Sequence, residues 1–321
     1  MAGKRNVEEQ VAALDALREQ ATEARVEPLR KALKQKNNFV AAKAADLVRE
    51  FELHALIPEL LESFDRFFEN PEKSDPQCWG KNAISRALAA FEHQDSTVFL
   101  RGLKHVQLEP VWGGRSDTAG TLRGTCVLAL VQCHELAEVD LLARLVELFD
   151  DKDKAVRVEV ARAIEQVGSS SAALLLRLRA VLGKDEPEVL GACHSGVLSI
   201  EGVRAIAWVC RFLETADDAA TEAALAIAGT HFPRAFEVLR ESLERTSDPW
   251  FRSVLLSAIA LTRQDAAVDF LFDLVRKESL DAEAAIESVM RSMPSNEVVK
   301  ELEELVVGNQ RLARVLAANR K

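Results

Sequence analysis

The chain predicts an all-α solenoid, helical pairs stacked one on the next, and three observations carry that expectation. A short skeleton recurs: Asp153, Val156, Arg157, Ala161, Ile164 and Gly168 come back, more than ninety residues on, as Asp248, Phe251, Arg252 and Ile259. Self-similarity at a period of roughly 30 to 45 residues marks a repeat array. Nearly every segment places apolar residues at i, i+3, i+4 and i+7, the pattern of an amphipathic helix, and no stretch alternates with the period of two that a strand needs. Tyrosine is absent while Ala and Leu abound, which favours helices.

Taken in order, a polar first helix over about residues 6–21 reads as a cap, with 1–36 as N-terminal capping helices, because the end of an array must meet water. Stacked repeats follow over 37–292. Their second helices begin near Asn37, Cys78, Thr118, Asp153, Glu186, Asp217, Asp248 and Leu280. Asp153, Asp217, Asp248-Pro249 and Glu186-Pro187 are start signals: an acidic side chain satisfies orphan amides and proline fits the first helical position. The array is irregular at 69–118, where two long connections, 69–79 and 105–117, join first helix to second. A polar stretch over 296–319 lies within C-terminal capping helices, 293–321. The expectation is one solenoid over 1–321.

The repeated residues just named resemble the second helix of a HEAT repeat, closest to the short bacterial HEAT-like repeats of phycobiliprotein chromophore lyases. The resemblance spans roughly residues 25–310 and is strong at Asp153 and Asp248. It implies a right-handed α-α superhelix of about eight helical pairs, in which second helices line a concave face and Asp and Arg side chains ladder between neighbours. The family holds scaffolds, lyases and DNA-repair enzymes, so it implies architecture and not activity.

Composition narrows the function. A net charge of −10 repels nucleic acid unless a local basic patch overrides it. No apolar run is long enough to cross a bilayer and no apolar signal core opens the chain, so a cytoplasmic protein is expected. The five cysteines form no CxxC pair, the histidines show neither HxxxH nor HExxH, and phosphate-loop and nucleophile-elbow motifs are absent. No metal, cofactor or catalytic residue is therefore expected, and the cysteines read as small buried hydrophobes.

Candidate binding residues appear where repeats depart from their pattern. The column of Arg157 reads Lys81, Arg123, Arg157, Gly191 and Arg252, so successive repeats offer a cation at one height; Arg86 and Arg162 share a second column. This is either a structural ladder, each cation paired with an acid of the next repeat, or an anion-binding strip. The two long connections bring Trp79 and Trp112, and place Lys81, Asn82, Arg86, Arg115 and Arg123 toward one end of the groove. The tryptophans either plug a gap left by irregular repeats or bind a partner. His194, on an otherwise apolar column, reads either as a buried, hydrogen-bonded core residue or as a general base or ligand, a role that needs a partner such as Glu159 or Cys193.

The leading functional expectation is a non-enzymatic scaffold that binds a protein or peptide with acidic or aromatic segments. A lyase-type protein gripping a carboxylate-bearing ligand such as a tetrapyrrole with Lys81, Arg86, Arg115 and Arg123 is the first alternative. A HEAT-like DNA glycosylase using Trp79, Trp112 and Asp117 is the second.

Overall fold

The structure, a computed structural model, describes residues 2–320. Two compact units divide the chain, Met1–Val167 and Gly168–Lys321. The expected single array over 1–321 begins and ends on residues outside the described ones.

In the first unit, α1 (Ala2–Asp15) and a 3-10 turn (Ala16–Glu19) precede helices that pack in pairs. α2 (Thr22–Leu33) lies on α3 (Asn38–Glu50), α4 (Ile57–Arg66) is followed by the single turn α5 (Pro71–Ser74) and packs on α6 (Trp79–Ala90), and α7 (Ser96–Leu103) lies on α8 (Gly120–Val131). α9 (Glu138–Glu147) packs on α10 (Lys154–Val167), and the second helices α3, α6, α8 and α10 stack side by side in that order. Alanine and glycine on these faces let the helices approach: a Cβ on Gly102 of α7 would lie 2.4 Å from the Cys126 sulfur of α8.

The second unit repeats the scheme. α11 (Ser170–Leu182) packs on α12 (Pro187–Glu201). The next first helix is broken into 3-10 turns at Gly202–Ala205 and Cys210–Thr215 around the short α13 (Ile206–Val209), and it packs on α14 (Asp218–Gly229). α15 (Ala235–Arg245) lies on α16 (Pro249–Thr262), α17 (Asp265–Arg276) on α18 (Ala282–Ser292), and α19 (Asn296–Leu305) on α20 (Gln310–Ala318). Here α12, α14, α16, α18 and α20 form the stack. The polar C-terminal stretch is two helices, divided where Gly308 turns with φ +90.

Helix starts lie where the capping residues put them. Asn37 accepts from the Phe39 and Val40 amides, Asp217 from Ala220 and Asp248 from Phe251. Glu186 makes no side-chain cap, and Pro187 alone marks that start. Among the described residues no helix is long and apolar enough to cross a membrane.

One expectation is corrected. Part of 105–117 is an antiparallel ribbon, β1 (Leu108–Val111) paired with β2 (Gly114–Asp117), with Val111 opposite Gly114 and Gly113 at φ +88 making the turn. Apolar alternation does not create it. It is held by polar contacts at its base.

Candidate interaction groove

The cation column turns inward. Lys81 is 0% exposed, and its ammonium meets three acceptors: Asp75 Oδ2 at 3.0 Å, Gln107 Oε1 at 3.1 Å and the Phe67 carbonyl at 3.2 Å. Asp75, equally buried, also accepts from the Gly80 amide (2.7 Å), the Lys81 amide (2.9 Å) and Asn38 Nδ2 (2.9 Å). Its carboxylate thus serves as the cap that Cys78, in a left-handed conformation, does not provide at the start of α6.

Arg123 on α8 does the same one repeat on. It forks onto Asp151 at 2.7 and 2.9 Å, and donates to Asp117 (2.7 Å) and to the His105 carbonyl (3.0 Å). Burial works to lower the Arg123 pKa, but the hydrogen bonds to Asp151 and Asp117 outweigh it and hold the guanidinium above its ordinary value. Arg157 is buried and donates to the Asp151 carbonyl; Arg252 pairs with Asp281 at 3.0 Å and with the Leu243 and Thr246 carbonyls. Lys81, Arg123 and Arg252 thus share a rule. Each joins an acid to carbonyls at or just beyond the end of a preceding first helix, where a cation is favoured. At Gly191 the cation is missing, and the Glu222 side chain of α14 lies over the space, 2.5 Å from where a Cβ would stand.

The two long connections are locked together. Gln107 is buried; its amide donates to the Asp75 carbonyl (2.9 Å) and to Glu109 (2.6 Å), while its oxygen receives Lys81. Glu109 also accepts from the Gln77 amide (2.6 Å) and the Thr118 hydroxyl (2.8 Å). Burial raises the Glu109 pKa, yet these hydrogen bonds prevail and lower it. Loops of this length are often mobile, but here they are pinned at the base of the ribbon.

What remains accessible lies between α3 and α6. Phe39, Ala42, Lys43 and Asp46 fall on one face of α3 by their helical spacing, and Trp79, Asn82 and Arg86 on one face of α6. Together they line a groove of about 330 Å³. Phe39 and Trp79 meet in it with their rings tilted by 55° and centroids 5.3 Å apart, and the two residues are still 44% and 46% exposed. Asn82 Oδ1 is buried on the groove wall without a hydrogen-bond partner. At the far end Arg86 reaches Asp46 at 3.4 Å and Lys43 reaches Asp15 at 2.7 Å; exposed pairs of this kind contribute little and exchange readily for a ligand's charges.

Of the sequence-predicted residues, the groove therefore gathers Trp79, Asn82 and Arg86. Lys81, Arg123 and Arg157 are inside, held by acceptors. Arg115 is exposed on β2, paired with Glu72 at 2.7 Å, and Trp112 is fully exposed at the ribbon's turn. The four cations assigned to a carboxylate-bearing ligand thus do not face one space, and Asp117, cast as a glycosylase carboxylate, is committed to Arg123. Four cysteines are buried, Cys210 is half-buried, and burial pushes the Cys126 and Cys193 thiols up to about 12. Among the described residues no group of three His, Cys, Asp or Glu is placed to hold a metal.

His194 is buried as expected, but the expected hydrogen bond is corrected: neither ring nitrogen has a partner. It lies against Phe212 (4.5 Å) and Trp208 (6.1 Å).

A feature that the sequence reading missed lies in the second unit, a cleft of about 860 Å³ lined by Arg204, Ile206, Leu213, Arg234, Val238 and Arg245 among others. It opens beside the segment whose 3-10 turns wind more tightly than an α-helix. Its weak sequence signal is Gly202, which ends α12 at φ +67.

No protein-family model matches the chain, and no curated protein matches it. Over 96% of its length and 91% of the other chain it is similar to a solved structure described as the crystal structure of an engineered protein from the Northeast Structural Genomics Consortium, at 15% identity and a TM-score of 0.40. At that distance the likeness carries no argument.

Proposed function

We propose that the chain is a non-enzymatic interaction module that binds a protein or peptide across the α3–α6 groove. The architecture that accompanies this reading is a right-handed HEAT-like superhelix of about eight helical pairs. The observation that supports it is the composition of the groove: two half-exposed aromatic rings in contact and a salt-exchangeable charged end within one concavity. Aromatic anchors beside a guanidinium are the usual source of binding energy at interfaces. Arg86 and Lys43 suit an acidic side chain a few residues further on.

Selection of peptides from a displayed random library tests the reading. Sequences pairing an aromatic or large apolar residue with Asp or Glu are expected on the wild type. Trp79→Ala is expected to weaken them by tenfold or more, equal to ~1.4 kcal/mol or above. Arg86→Ala is expected to remove the preference for acids. Both residues are exposed, so both variants keep the fold. Enriched peptides indifferent to both substitutions, or no enrichment at all, would overturn the proposal.

A further inference from the structure

We propose that the cleft of the second unit binds a small aliphatic monocarboxylate, its head held by Arg204 and Arg234 and its chain laid along an apolar wall. The proposal is independent of the α3–α6 groove.

At about 860 Å³ the cleft has the size of a small-molecule pocket. One wall owes its form to tight winding. A 3-10 helix has three residues per turn, so residues three apart stand in one row. From Arg204 every third residue, Ala207, Cys210, Leu213 and Ala216, lines the cleft, through both 3-10 turns and the short α13 between them. The two alanines put single methyl groups where longer side chains would fill the space. The opposite wall is one face of α15, where Val238, Glu241 and Arg245 follow Arg234 at helical spacing. Buried Ile206 and Leu213, with half-buried Val238, supply apolar surface in the middle.

The charges are sorted along this space. The broken helix and α15 each follow a second helix after a short turn, so the two walls run in the same direction. Arg204 and Arg234 therefore stand at the starting end of both walls. Glu214, Glu241, Arg245 and Asp248 lie toward the other end, and α15 spans ~16 Å at 1.5 Å per residue.

The far end is already engaged. Glu241 pairs with Arg245 at 3.3 Å, and Asp248 accepts from the Phe251 amide at 2.7 Å. The near end is free: among the described residues neither the Arg204 nor the Arg234 guanidinium has a hydrogen bond or ion pair. Glu201, three residues before Arg204, is forked onto Arg177. Two unengaged guanidinium groups match a carboxylate, and the acids at the far end keep an anionic head away from it. Three arginines and three acids line the cleft, so no surplus of positive charge favours a second negative group on the ligand.

Cys210, in the middle of the row, gives a local readout, because it is half-buried while the other four cysteines are buried. A chain lying along the row covers its thiol. The test measures the rate of Cys210 alkylation by iodoacetamide against added octanoate, read by mass spectrometry of the labelled peptide. Burial lifts the Cys210 pKa, with Glu241 adding to it and Arg234 and Arg245 opposing, so one alkaline pH is used throughout. Octanoate is expected to slow the reaction to a plateau. The neutral 1-octanol and the dicarboxylate suberate are expected to need at least tenfold higher concentration for half of that effect. The double variant Arg204→Ala with Arg234→Ala, both at exposed positions, is expected to raise the octanoate midpoint tenfold or more. Arg211→Ala removes a cation of the same segment that does not line the cleft, and is expected to leave the midpoint unchanged. The proposal fails if octanoate does not protect Cys210, if 1-octanol protects it as well, or if the double variant keeps the wild-type midpoint.

Discussion

Lys81→Met is expected to destabilise the first unit by about 3–5 kcal/mol, the cost of leaving one member of a buried ion pair without the other. The ammonium fills a site with no access to water, and its loss strands the Asp75 carboxylate, also fully buried. It leaves Gln107 Oε1 and the Phe67 carbonyl each short of a donor as well. Methionine matches the length of the lysine stem, so cavity formation adds little. Denaturant unfolding followed by far-UV circular dichroism and tryptophan fluorescence measures the cost. With two compact units, the affected transition is the one that reports on Trp79 and Trp112. The double variant Lys81→Met with Asp75→Asn separates charge from packing. An asparagine keeps only one of the two amide contacts, since Gly80 donates to Oδ1 and Lys81 to Oδ2, but it leaves no buried charge without a partner, so the double variant is expected to be more stable than the two single costs add up to. A single-variant loss below ~1 kcal/mol would mean that the pair does not hold the two connections together.

This clamp shows how far the sequence reaches. The helix starts are legible because Asn37, Asp217 and Asp248 are local devices, read from the residue and the two or three that follow it. The pairing of helices is legible for the same reason: amphipathic spacing tells which face is buried. The ribbon is not legible. Leu-Glu-Pro-Val and Gly-Arg-Ser-Asp have no apolar alternation, and Pro110 argues against a strand. The strands exist because Gln107, Glu109 and Asp117 find acceptors and donors that lie up to tens of residues away, at Asp75, Gln77 and Arg123.

The direction of the cation column has the same cause. A structural ladder and an anion-binding strip have one sequence pattern, because both are cations at helical repeat spacing. What separates them is where the acids stand. Asp75 precedes the aligned helix by four residues, and Asp151 precedes the start of the next by three, so alignment on helices leaves both out. With them in place, Lys81 and Arg123 have their acceptors inside the fold. Trp79, Asn82 and Arg86, three and four residues apart on α6, remain on the accessible face with Phe39. That combination needed the neighbouring helix, since α3 supplies half of the groove.

His194→Leu is expected to stabilise the second unit, and by more as the pH falls. Burial alone pushes the His194 pKa down to about 4, from 6.5 in an exposed setting, with no neighbouring charge contributing. The rings of Phe212 and Trp208 lie against it, and both nitrogens are without partners. Between pH ~6.5 and ~4 the unfolded chain binds a proton on this residue that the folded chain refuses. Stability from this group therefore rises with pH through that window and is lost as pH drops through it, reaching about 3 kcal/mol below both values. This is the reverse of a histidine that gains an acidic partner on folding. Leucine has a similar volume, needs no hydrogen bond and does not titrate. At pH 7 the gain is about 1 kcal/mol, from removing unpartnered polar atoms. At pH 5 a further ~2 kcal/mol is expected, the part of the linkage already spent there. Asp and Glu titrations are common to both proteins and cancel in the difference, so the pH dependence of that difference belongs to His194. Thermal or denaturant unfolding of the two proteins at pH 5, 6 and 7 measures it. A difference that stays constant across those values would show that folded His194 accepts a proton as easily as the unfolded residue does.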